Sequence, residues 1–196
     1  MLLLSVWPAN AWANQSILIL GDSLSAGYGI SKEESWPALL QQRLEQSGLP
    51  WRVVNASISG DTTHGGLSRL PGTLAREKPG IVILGLGAND GLRGLRLQDT
   101  AHNLDRMTVL AQESGARVLL LGIQLPYNYG PAYREKFSAI YGKIAQQRHA
   151  ALVPFFLRGV AETRAMMQPD GLHPTAAAQP AILENIWREL YPLLRK

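Results

Sequence analysis

Three residue types that together activate a hydroxyl stand at the two ends of this chain. Ser23 follows the apolar run Ser16-Ile-Leu-Ile-Leu20 at a Gly21-Asp22-Ser23 turn, and Asp170 and His173 lie three residues apart in Pro169-Asp170-Gly171-Leu172-His173-Pro174. A serine oxygen becomes a nucleophile when an imidazole takes its proton and a carboxylate fixes the tautomer of that imidazole and stabilises its cation. The turn-forming residues of the second segment let its acid and its imidazole face one point. On the first segment alone a second reading of Ser23 stays open, because Asp and Ser after a strand commonly cap the next helix.

Acyl transfer also needs fixed donors for the oxygen that gains charge, each worth on the order of 10²–10³ in rate. The backbone N–H groups of Ser23 and Gly60 and the side-chain amide of Asn89 are candidates for this oxyanion hole. A glycine N–H can face outward with no side chain in the way, although Gly60 and Asn89, each taken singly, also read as turn residues.

These residues must be positioned by the elements between them. Short apolar runs predict strands near residues 16–20, 52–56, 81–86, 118–123 and 152–156, the last an edge strand that tolerates Pro154. Helical spacing predicts helices over 35–46, 63–77, 98–114, 131–149 and 175–194, with Pro71 kinking or dividing the second. Strands alternating with helices imply a parallel sheet covered on both faces. The fold expected is α/β, a three-layer α/β/α sandwich with a flavodoxin-like five-stranded sheet in the order 2-1-3-4-5. That order puts the loops bearing Ser23, Gly60 and Asn89 side by side at one edge.

At 196 residues and 46% hydrophobic composition the chain can bury a full core, and one domain over 14–196 is expected. The net charge is +4, but the basic residues are scattered, with no stripe interleaved with aromatics, so a nucleic-acid partner is not expected. The absence of cysteine excludes disulfides and thiol catalysis. His64, His102 and His149 lack partners at ligand spacing, so neither a metal nor a cofactor is expected. Residues 1–13 end in Ala11-Trp12-Ala13 and read as the back half of a secretory signal, without its basic region. This predicts cleavage after Ala13 and a periplasmic or secreted protein. No run is long enough to cross a bilayer, and a monomer is expected.

Gly21-Asp22-Ser23-Leu24, the isolated Gly60, Gly87-Ala88-Asn89-Asp90 and Asp170-Gly171-Leu172-His173 resemble, in order and spacing, the four sequence blocks of the SGNH or GDSL hydrolases. The resemblance covers essentially all of the chain after Ala13. Within the family, the passages Val54–Asp61, Asn89–Gly94 and Leu125–Gly130 are most similar to the bacterial thioesterase I, protease I and lysophospholipase subgroup. The likeness implies Ser23 as nucleophile and first oxyanion donor, Gly60 and Asn89 as the other donors, His173 as base and Asp170 as the acid that orients it. Ala88 stands where the subgroup usually has a second glycine, which puts the local loop geometry in question. Asp22 is assigned to turn hydrogen bonding rather than to the triad.

The resemblance implies small-molecule acyl substrates: fatty acyl and aryl esters, acyl thioesters and lysophospholipids. Leu92 and Leu95 after the third strand, and Pro126 and Tyr127 with Tyr129 and Tyr133 after the fourth, are expected to line an acyl groove. Gly91 and Gly94 would let the first of these loops close as a lid. The alternative packs the leucines beneath their loops. A carbohydrate acetylesterase on the same fold is the competing enzyme reading. A phosphate- or nucleotide-binding protein is the competing reading from another class; it lacks both the Gly-Lys-Ser/Thr of a P-loop and the third glycine of a dinucleotide fingerprint.

Overall fold

A computed structural model describes residues 15–195, so the signal reading of residues 1–13 lies outside the described residues. The apolar runs form five parallel strands, β1 (Gln15–Gly21), β2 (Trp51–Asn55), β3 (Ile81–Gly85), β4 (Arg117–Leu121) and β5 (Ala151–Val153), in the order β2-β1-β3-β4-β5. This is the expected sheet. Ile17–Leu20 and Ile81–Leu84 have no exposed surface, as continuous Ile, Leu and Val runs require when helices cover both faces. β5 is shorter than expected and ends just before Pro154, which has no N–H to give a ladder.

The helices are α1 (Ser23–Ala26), α2 (Trp36–Gln46), α3 (Thr63–Glu77), α4 (Ala88–Leu92), α5 (Leu97–Glu113), α6 (Pro131–Arg148) and α7 (Gln179–Leu194). α2 packs with α7 on one face of the sheet, and α5 packs between α3 and α6 on the other. α3 is not divided at Pro71, because Pro71 lies on its exposed side, where water can satisfy the carbonyl that the missing N–H leaves.

From β1 the chain crosses to β2 on one side and later to β3 on the other. Loops after β1 and β3 therefore diverge and leave a crevice at the carboxyl edge, where ligands bind in such sheets. The short helices α1 and α4, which the periodicity did not reveal, sit at this crevice. Trp36, fully buried at the start of α2, braces it from behind: its Nε1–H donates to the Leu24 carbonyl (3.2 Å) and its backbone N–H to Oε1 of the buried Gln179 (3.0 Å).

Candidate active site

Asp22, not Ser23, caps α1: its Oδ1 accepts the Leu24 N–H at 3.0 Å, which leaves the hydroxyl of Ser23 free of the capping task. Ser23 Oγ lies 2.9 Å from His173 Nε2, and His173 Nδ1 lies 2.6 Å from Asp170 Oδ2. An Nδ1–H directed at the carboxylate leaves a lone pair on Nε2 to receive the serine proton. Asp170 Oδ1 also accepts the backbone N–H groups of Leu172 (2.9 Å) and His173 (3.0 Å). The His173 hydrogen bond above all, with these two N–H groups, holds the Asp170 carboxyl down to about 2.

The histidine loop is pinned from outside the motif. Gln168 Nε2 donates to the carbonyls of Tyr28 (2.8 Å) and Pro174 (2.9 Å), tying the loop after β1 to the loop of His173. The Tyr28 ring lies 4.4 Å from the His173 ring. Gln168 belongs to no recognisable pattern, and only the folded arrangement reveals it.

Gly60 has φ +80°, a conformation that strains any L residue, and its N–H, like that of Ser23, has no intramolecular partner among the described residues. Asn89 Nδ2 donates to the Asp61 carbonyl (2.9 Å) and stands 3.5 Å from Asp22 Oδ2. The loops that carry these donors are clamped together. Arg69 pairs with Asp61 at 2.8 Å and donates to the Ala56 carbonyl, while Arg93 Nη2 donates to the Gly60 carbonyl at 3.0 Å. Beneath Asn89, the buried Asp90 accepts the Thr63 N–H at 2.9 Å and the Thr63 hydroxyl. Asp22 is fully buried as well, and burial pushes its carboxyl up to about 7; the charges of Asp61 and Asp90 add to the rise, and the Leu24 N–H opposes it.

Gly87 precedes α4 at φ 118°, and a Cβ there would stand 2.3 Å from the Tyr141 hydroxyl. Ala88 is in an ordinary helical conformation, so the alanine leaves the loop geometry intact and its methyl faces a cavity. That cavity, of about 380 Å³, opens beside Ser23 and His173 and is walled by Leu92, Ile123, Phe155, Leu157, Met167 and Leu172. Pro126 and Tyr127 also line it, and Arg134 lies over the Tyr127 ring at 4.1 Å.

Leu95 stands apart from the cavity. The turn at Gly94 (φ +64°) carries it away, and it is 42% exposed beside a second depression bordered by His64 and His102. Tyr129 and Tyr133 are not in the lining either; their hydroxyls donate to the carbonyls of Leu92 (2.8 Å) and Gly91 (3.4 Å) and fasten the loop from behind. Gly91, within α4, allows close packing, since a Cβ there would approach Leu125 to 2.6 Å. Phe155, Leu157 and Met167 were missed. The convergence of every loop that follows a parallel strand was the signal that could have found them. Among the described residues, no group of three or more His, Cys, Asp or Glu side chains is arranged to hold a metal ion, and no helix is long and apolar enough to cross a membrane.

The sequence profile of the GDSL-like lipase/acylhydrolase family matches residues 19–180. The chain is 57% identical over 182 residues to esterase TesA of Pseudomonas aeruginosa, covering 93% of this chain and 90% of that one. It is 46% identical over 184 residues to thioesterase 1/protease 1/lysophospholipase L1 of Escherichia coli K12, covering 94% and 87%. The crystal structure of TesA superimposes with a TM-score of 0.90 at 56% identity, covering 91% of this chain and 99% of that one.

Proposed function

Because the chain belongs to the GDSL-like lipase/acylhydrolase family, we propose that it is a serine esterase that cleaves acyl groups from carboxylic esters and thioesters through an acyl-enzyme. The observation that carries this reading is the line Ser23 Oγ, His173 Nε2, Nδ1, Asp170 Oδ2, with steps of 2.9 and 2.6 Å, beside an apolar cavity. In the proposed reaction Ser23 Oγ gives its proton to His173 Nε2 as it attacks the acyl carbonyl carbon. The oxygen that gains charge is met by the N–H groups of Ser23 and Gly60 and by the Asn89 amide. His173 then passes the proton to the departing alcohol or thiol. A water molecule repeats the sequence on the acyl-enzyme, giving the carboxylic acid and restoring the serine. Asp170, held ionised, keeps the Nδ1–H in place and pairs with the imidazolium.

The cavity walls suit an acyl chain, which extends the reading to fatty acyl esters, aryl esters, acyl thioesters and lysophospholipids; the name of the Escherichia coli relative includes the thioesterase and lysophospholipase activities, and a Vibrio mimicus relative, 46% identical over 182 residues, is an arylesterase. The apolar lining argues against a carbohydrate moiety as the group held there. The Ala11-Trp12-Ala13 motif supports export with cleavage after Ala13, a monomer in solution is the state proposed, and N-terminal sequencing and light scattering test the two statements. For the chemistry, a fluorophosphonate should label the wild-type protein stoichiometrically on Ser23 and leave Ser23→Ala unlabelled. His173→Ala should lower kcat on an acyl ester by on the order of 10³-fold or more with the fold intact. An unlabelled wild-type protein, or wild-type turnover in His173→Ala, would overturn the assignment.

A further inference from the structure

An isolated exposed apolar side chain is ordinary on a protein surface, but a collection of them at one end of the molecule is not. Among the described residues five large apolar side chains are exposed: Tyr28 and Ile58 at 53%, Leu95 at 42%, Tyr127 at 81% and Leu172 at 39%. Tyr28 follows β1, Ile58 follows β2, Leu95 follows β3, Tyr127 follows β4, and Leu172 adjoins His173. Since the sheet is parallel throughout, the loops that follow β1 to β4 leave one edge of it. Tyr127 and Leu172 line the cavity and the Tyr28 ring lies against His173, so three of the five stand at the entrance to the site, while Ile58 and Leu95 extend the apolar surface along the same edge of the sheet.

Basic groups accompany it. Arg93 and Arg96 flank Leu95 in an exposed segment, and Arg93 reaches the Gly60 carbonyl, two residues from Ile58. The Arg134 guanidinium covers the Tyr127 ring. Arg96 pairs with Asp99 at 2.8 Å, whereas Arg93 and Arg134 take part in no ion pair among the described residues. The chain as a whole carries +4. Apolar tips interspersed with arginines, whose stems lie along apolar matter while the heads stay wet, match a layer with apolar chains below and negative headgroups above.

We propose that this rim is a docking surface for an anionic lipid layer, which it meets with the cavity mouth facing down. The proposal rests on the acyl-hydrolase reading and deepens it: an acyl chain leaving such a layer passes into the cavity without crossing water. It gives Leu95, which stands outside the cavity, a part in holding the layer rather than the substrate.

The test uses the full chain and vesicles of ether-linked phosphatidylglycerol and phosphatidylcholine, which contain no ester to cleave. Wild-type protein should float with the mixed vesicles and much less with phosphatidylcholine alone. Ile58→Ser combined with Leu95→Ser, both outside the cavity lining, should weaken flotation on the order of tenfold or more. The same variant should keep kcat/KM on a water-soluble short-chain ester within about twofold and lose several-fold on a micellar lysophospholipid. Absence of flotation by the wild type, equal flotation on both vesicles, or unaltered flotation of the variant would overturn the proposal. So would light scattering that shows a dimer dissociated by the same substitutions, since the rim would then be covered by a second copy. Flotation needs no turnover, so a failure of docking and a failure of the esterase assignment are read separately.

Discussion

Replacing Asp22 by Asn should flatten the pH dependence of stability, with a sign set by burial. The Asp22 carboxyl is fully covered in the fold and titrates at about 7, whereas its ordinary value, which the unfolded chain regains, is 3.8. Below about pH 4 both states hold the proton and the group does not matter. Between about 4 and 7 the unfolded chain releases its proton while the folded protein keeps it, so stability falls as the pH rises; above about 7 the loss is complete and constant. An interval of about three pH units corresponds to roughly 4 kcal/mol, and relaxation around the buried carboxylate lowers the expectation to about 2–4 kcal/mol. Asparagine retains an oxygen for the Leu24 N–H and has nothing to titrate. Urea unfolding followed by far-UV circular dichroism, for both proteins from about pH 4 to about pH 8, isolates the effect, because every other titrating group is shared and cancels in the difference. The difference should move by about 2–4 kcal/mol in favour of Asp22→Asn as the pH rises. Two curves that stay parallel would show that Asp22 titrates alike in both states, and the burial argument would be wrong.

Three further outcomes follow from the geometry. Asp170→Asn removes the anion that faces the imidazole, and kcat should fall on the order of 10²–10⁴-fold with the fold retained by circular dichroism; a loss below about tenfold would contradict the pairing role. Asn89→Ala should lower kcat on the order of 10²–10³-fold on a soluble ester, with KM changed far less, as steady-state kinetics will show. Gly87→Ala forces a Cβ against the Tyr141 hydroxyl at a positive φ and should cost about 2–4 kcal/mol in urea unfolding, while Ala88→Gly one residue on should cost about 1 kcal/mol or less.

The sheet was legible because Ile17–Leu20 and Ile81–Leu84 are continuous apolar runs with no polar alternation, a pattern that only a doubly covered strand tolerates. The expected span of α3, 63–77, agrees with the fold, where the Thr62 hydroxyl accepts the Gly65 N–H at its start. Ser23, Asp170 and His173 were legible because hydroxyl activation demands those types, and few other serines follow a strand directly. What was hidden depends on packing between distant segments. That Asp22 is buried, that Gln168 ties the Tyr28 loop to the His173 loop, and that Phe155 and Leu157 wall the cavity are consequences of three-dimensional neighbours, which no local spacing encodes. Leu95 shows the converse: a neighbour of Leu92 in sequence, it is turned out by Gly94 and finds different surroundings.

The hydroxyl of Ser23 and the imidazole of His173 meet across 150 positions of the chain. During synthesis the ribosome delivers the first long before the second. A polypeptide that stops short of His173 carries Ser23 without the imidazole that meets it in the fold. On the proposed reading, hydrolysis therefore waits until the segment that bears His173 has docked beside Ser23.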